Sequence, residues 1–119
     1  MSTFPKTEKL CNYHRIQALF KEGKSLKKYP LKLLYLPLDK EAVPTELLIS
    51  VPKKKLKRAV DRNRIKRLLR ESYRMEKHQL SSLEHSYSLA FIYMSQELIT
   101  YGQMRALVAG LLQQLSFLE

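Results

Sequence analysis

The sequence predicts an α+β fold, a small two-layer sandwich in which helices cover a short sheet. Three observations carry this. Segments with apolar residues at helical spacing alternate with short apolar runs of strand length, bounded by proline or polar turns. The chain of 119 residues has the size of one ordinary domain. Its apolar content of 45% supports one modest core and is too high for a disordered chain. No repeat, linker or boundary divides residues 1–119, which read as a single domain.

The elements follow in order. Asn12 is placed to cap a first helix carrying Tyr13, Ile16, Leu19 and Phe20 at helical spacing, with Gly23 as its stop. Leu31–Leu38, between Pro30 and Pro37 at its ends, reads as a strand, and Glu46–Val51 as another. Asp39–Thr45, with Pro44, is the polar turn of a hairpin joining them. Pro52 ends the second strand, and a long helix runs from about Leu56 to His78. Ser81–Ser86 is a loop and Tyr87–Met94 a further strand. Thr100 and Gln103 form a capping-box pattern ahead of Met104, Leu107, Val108, Leu111, Leu112 and Leu115. Gly110 inside that last helix costs some propensity and suits close packing.

Charge then locates a surface. The chain has 22 Lys and Arg against 11 Asp and Glu, a net +11. Residues 53–77 alone hold twelve bases against Asp61, Glu71 and Glu76, a local net of +9. Stepping about 100° per residue from Val60, Ile65, Leu68, Leu69 and Ser72 share one face. Arg62, Asn63, Lys66, Arg67, Arg70 and Arg74 occupy a broad opposite face, with Arg64 on the other flank. The row Arg62, Lys66, Arg70 and Arg74 extends about 18 Å at 1.5 Å per residue, long enough for several phosphates. Guanidinium groups are planar and permanently charged and grip phosphate oxygens in pairs, while Lys53, Lys54 and Lys55 add flexible point charges. This implies a nucleic-acid partner.

Other chemistries are excluded or unsupported. A single cysteine, Cys11, forms no internal disulfide. Met1–Leu10 carries Lys6, Glu8 and Lys9 and does not read as a signal peptide, and the uncharged stretch Ala106–Leu118 is too short to span a bilayer. The expectation is a soluble, cytoplasmic protein. His14, His78 and His85 have no metal-ligand spacing, with each other or with Cys11. The isolated Gly23, Gly102 and Gly110 make no phosphate loop. Asp39, Glu41 and Glu46 read as a solvated turn, because no further carboxylate completes a metal-dependent nuclease site. No catalytic residue and no protein-bound metal or cofactor is expected.

The stretch Lys57-Arg58-Ala59-Val60-Asp61-Arg62-Asn63-Arg64-Ile65-Lys66-Arg67-Leu68 resembles the signature of the protein subunit of bacterial ribonuclease P. Its hallmark is Arg-Asn-Arg followed by a hydrophobic residue and Lys-Arg. The flanks Ile49-Ser50-Val51 and Arg70-Glu71-Ser72-Tyr73-Arg74 agree, as do Leu19-Phe20-Lys21-Glu22-Gly23 and Tyr35. The resemblance spans residues 9 to 116. Family members commonly carry an aromatic where Ile16 stands and a glycine where Leu48 stands, and their N-terminal arm is more basic.

The resemblance implies the order helix, three strands, helix, strand, helix, with a left-handed β-α-β crossover through the basic helix. That is the architecture of the second domain of a small-subunit ribosomal protein. A short first strand near Ser25–Leu26 is implied too. The family protein is not the catalyst: an RNA subunit with bound Mg²⁺ removes the 5′ leader from precursor tRNA. No membrane and no protein partner is implied. Carried over, Arg58, Arg62, Asn63, Arg64, Lys66, Arg67 and Arg70 contact the RNA subunit. Ile16, Phe20, Tyr35, Lys53, Lys54 and Lys55 line a leader cleft between the first helix and the sheet. Ile16 and Phe20 fit core packing equally well, and Tyr35 fits a sheet-face aromatic under a helix. A general RNA-binding or ribosomal assembly protein is the alternative function.

Overall fold

In the computed structural model, residue 10 and residues 12–39 and 44–118 are described. The elements are α1 (Tyr13–Glu22), β1 (Lys24–Lys28), β2 (Leu31–Leu38), β3 (Glu46–Ser50), α2 (Ala59–Glu76), β4 (Ser86–Tyr93) and α3 (Tyr101–Phe117). A short 3-10 helix, Lys77–Leu80, continues α2. The order is the one the resemblance implies.

Local chemistry explains the helix ends. The Asn12 side chain accepts from the Arg15 N–H at 3.1 Å and caps α1. At Thr100 both halves of the capping box form, with Gln103 N–H to Thr100 Oγ1 at 3.2 Å and Thr100 N–H to Gln103 Oε1 at 2.9 Å. Gly23 ends α1 for a reason other than a left-handed turn, since its φ is −65° and ψ 151°. A Cβ there would collide with the Leu19 carbonyl oxygen and stand 3.2 Å from that of Tyr35. Room is what the position requires.

The sheet order is β1-β2-β4-β3, with β1–β2 and β2–β4 antiparallel and β3–β4 parallel. This corrects the expectation of a Leu31–Val51 hairpin. The tight hairpin is β1–β2, turning at the cis Tyr29–Pro30 bond, while β4 inserts between β2 and β3. β4 is buried on both faces except for Ile92, which is half-buried, so an edge position would expose apolar surface and unpaired backbone. β1, with sequence KSLKK, is polar enough to be an edge. The basic helix is also shorter than expected at its start, because Pro52 to Arg58 form a turn and connector before α2.

One sheet face carries Leu33, Leu47, Leu89 and Phe91 and packs against Ile65, Leu69, Met104 and Leu111 of α2 and α3. Across the other face lies α1, whose Leu19 and Ile16 meet Leu34 and Ala90. The Leu10 N–H donates to the Leu47 carbonyl at 3.0 Å and partly covers the β3 edge.

Candidate nucleic-acid interface

The rotation of α2 is set by its buried residues Ile65, Leu68, Leu69, Ser72 and Tyr73. With that stripe inside, Asn63, Arg67 and Arg74 are exposed, and Arg62, Lys66 and Arg70 lie half-buried along one shoulder. Arg64 is exposed on the other flank and Arg58 at the helix start. Among the described residues, the side chains of Asn63, Arg64, Lys66, Arg67, Arg70 and Arg74 make no hydrogen bond or ion pair within the protein. Their charge is presented from a rigid support and is not spent internally.

Arg62 is different. Its Nη1 donates to the carbonyls of Leu56 at 2.9 Å and Lys57 at 2.8 Å, clamping the connector onto the first turn of α2. Sequence reasoning treated it only as a ligand-facing cation. Arg58 approaches Asp61 at 4.0 Å, an exposed pair of little energetic weight. At the far end of α2, Arg105 Nε donates to Glu76 Oε2 at 2.8 Å and ties α3 to α2. That bond holds the Glu76 carboxyl below its ordinary range, against burial, which acts the other way.

Lys53, Lys54 and Lys55 are exposed on the turn that follows β3. Pro52 O accepts from the N–H groups of Lys55 at 3.1 Å and Leu56 at 3.3 Å, and buried Leu56 anchors the turn. The lysines therefore sit between the end of β3 and the start of α2.

The expected cleft set is only partly brought together. Ile16 packs on the sheet beside Leu34 and Ala90. Phe20, 51% exposed, borders a shallow recess on the outer side of α1 with His14, Gln17, Ala18 and Lys21. Tyr35 is a correction: strand alternation turns it to the α2/α3 face, where its ring stands edge-on to Tyr87 at 6.3 Å. Leu34 and Leu36 occupy the α1 face instead.

Glu46 is buried and bound by Arg15, with Nη2 to Oε1 at 2.6 Å, which pins α1 to β3. It is therefore no member of a solvated acidic turn; Glu41 and Cys11 lie outside the described residues. Arg15 went unnoticed in the sequence because its partner is 31 residues away. Among the described residues no three His, Cys, Asp or Glu gather as metal ligands, and no helix is long and apolar enough to cross a membrane.

A cationic helix face and a lysine turn on a small mixed sheet define an α+β protein with a surface suited to polyanions. Comparison with known proteins narrows this. The family model described as Ribonuclease P matches residues 4–116. The ribonuclease P protein component of Porphyromonas gingivalis is 41% identical over 98 residues, covering 78% of this chain and 72% of that one. That of Chlorobaculum tepidum is 38% identical over 104 residues, covering 77% and 68%. Among solved structures, the Staphylococcus aureus RNase P protein superposes with a TM-score of 0.74 at 25% identity, over 91% of this chain and 94% of that one. The Thermotoga maritima protein gives 0.72 at 25% identity, over 90% and 96%. The chain belongs to the family of bacterial ribonuclease P protein components.

Proposed function

We propose that this chain binds a catalytic RNA through α2 and helps that RNA hold the 5′ leader of precursor tRNA. The observation that carries the reading is the unspent charge of α2: Arg64, Lys66, Arg67 and Arg70 project from a helix whose rotation the core sets. Arg58 and Asn63 extend that surface, and Arg62 holds the connector while contributing charge. Phosphates of a folded RNA are the anions such a face suits, because the guanidinium geometry is held before the partner arrives.

Leader contact is assigned to Lys53, Lys54 and Lys55 on the turn between β3 and α2, together with Ile16 on the α1 face of the sheet and the exposed Phe20 of α1; Tyr35 is left out. Hydrolysis is assigned to the RNA subunit with its own Mg²⁺. The setting is the cytoplasm, where tRNA precursors are processed, with no membrane or additional protein partner required.

The test mixes the purified chain with a bacterial ribonuclease P RNA, precursor tRNA and Mg²⁺ at moderate salt. Faster 5′ cleavage than by the RNA alone is expected. No gain would leave a general RNA-binding or assembly role, and cleavage by the protein without RNA would overturn the assignment of catalysis.

A further inference from the structure

Three acids lie on α2, and two of them have partners in the fold. Asp61 approaches Arg58, and Glu76 is bound by Arg105. The third, Glu71, is half-buried and makes no hydrogen bond or ion pair among the described residues. Cations surround it. Arg67 stands one helical turn before it and Arg74 one turn after it, and both are exposed. Stepping about 100° per residue from Val60 puts Arg64 at about 40°, Glu71 at about 20°, Arg67 at about 340° and Arg74 at about 320°. Glu71 therefore lies inside the basic surface, between Arg64 and Arg67.

The fold gives no reason for an acid at this point. Glu71 is in the second half of α2, too far from the N-terminus to gain from the helix dipole. A pair with Arg67 or Arg74 would add little on an exposed helix face, and neither pair forms. On a surface suited to phosphates, an unpaired carboxylate lowers affinity for every RNA backbone. It repels phosphate and attracts only neutral hydrogen-bond donors. Folded RNA offers two kinds, the exocyclic amines of its bases and the ribose 2′-hydroxyl.

We propose that Glu71 is a specificity residue of the α2 surface: its carboxylate accepts a hydrogen bond from a base amine or 2′-hydroxyl of the catalytic RNA and keeps phosphate away from that point. This rests on the RNA-binding reading of α2 above and adds a residue that selects among RNAs instead of attracting all of them. Arg67 and Arg74 hold phosphates on either side, and the strand between them turns a neutral donor toward Glu71. A hydrogen bond to an ionised acceptor is among the strong ones. Rewarding the right contact and penalising the wrong one are the two routes to discrimination, and one acid among arginines does both.

The experiment measures binding of the purified chain to a bacterial ribonuclease P RNA and to an unrelated structured RNA of similar length, at the same salt. Glu71→Ala is expected to weaken the ribonuclease P RNA about tenfold, the cost of one lost hydrogen bond to a charged group. The unrelated RNA should bind as tightly as to wild type, or tighter. Glu71→Gln, which keeps an acceptor oxygen in place, should retain most of the preference. For Glu71→Ala the slope of log affinity against log salt should not change, because no phosphate contact is lost. Its melting temperature should not fall, since alanine is the better helix former. Interference mapping then finds the donor, with 2′-deoxy or amine-lacking nucleotides placed at random in the ribonuclease P RNA. One class of substitution should weaken binding by wild type and not by Glu71→Ala: 2′-deoxy if the donor is the ribose, amine removal if it is a base. Sensitivity to neither overturns the proposal. So does tighter binding of both RNAs by Glu71→Ala, the result expected if Glu71 only screens its neighbours. An equal loss on both RNAs, a lower melting temperature, a changed salt slope or no rescue by Glu71→Gln would overturn it as well. If wild type itself does not prefer the ribonuclease P RNA, the reading of α2 as its docking face fails too; a wild-type preference that Glu71→Ala keeps overturns the role of Glu71 alone.

Discussion

Single side chains divide the basic surface into groups that hold the protein together and groups free for a partner. Arg62 belongs to both, since its two carbonyl contacts fasten the connector after the lysine turn. Arg62→Ala is therefore expected to weaken RNA-subunit binding and also lower the melting temperature. Arg67→Ala, at an exposed position without internal bonds, should weaken RNA binding and reduce its salt slope by about 1, with an unchanged melting curve. Titration of the RNA subunit alongside thermal unfolding checks both, and unchanged affinity for Arg67→Ala would count against docking through this face. Gly23 illustrates a different constraint. A methyl group there collides with the Leu19 carbonyl oxygen, a backbone atom that cannot step aside. Gly23→Ala should lose about 1–3 kcal/mol in urea unfolding, the usual cost of forced overpacking. A neutral result would mean α1 can shift at little cost.

At the level of elements, α3 offers contrasting expectations. Gly110 also faces a close neighbour, but that neighbour is the flexible end of Lys28, at 3.1 Å from an added Cβ. The amine stem can move, so Gly110→Ala should gain about 0.5–1 kcal/mol from helix propensity, read by the same unfolding assay. The α2–α3 tie makes a pH prediction. Because Arg105 lowers the folded-state pKa of Glu76, the tie stabilises above the ordinary carboxylate range and is lost as pH falls through the lowered value. Arg105→Gln should thus melt below wild type near neutral pH, with the gap closing as the pH falls through and below the ordinary carboxylate range. A gap independent of pH would assign the effect to packing. These helices were legible in the sequence, down to the caps at Asn12 and Thr100, because caps and helical spacing are local signals. Strand order was not legible. Nothing in Leu31–Leu38 or Glu46–Val51 states that a strand nearly forty residues later comes between them. The error at Tyr35 has the same root, since which alternate residues of a strand face α1 depends on its distant neighbours. The Arg15–Glu46 pair was hidden for that reason too.

For the whole molecule, the question is whether net charge or its placement governs recognition. A chain carrying +11 attracts any polyanion at low salt, so affinity alone says little. Placement predicts something sharper. If Arg58, Arg62, Arg64, Lys66, Arg67 and Arg70 each neutralise one phosphate of a folded RNA, log affinity for the RNA subunit falls against log salt with a slope of about −5. Arg67→Gln with Arg70→Gln should then shallow that slope by about 2, while Lys24→Gln with Lys28→Gln, removing equal charge elsewhere, should leave it unchanged. Binding by diffuse attraction would make the two pairs indistinguishable. The fold supplies the reason to expect a difference. The residues that bury α2 against α3 and the sheet fix its outward face before any RNA arrives, so its cations meet phosphates without reorganising. The β1 lysines Lys24 and Lys28, on the edge strand of the sheet, project toward the α3 side and carry their charge away from that face. Equal slopes from the two pairs would show that total charge, and not the α2 surface, sets the affinity.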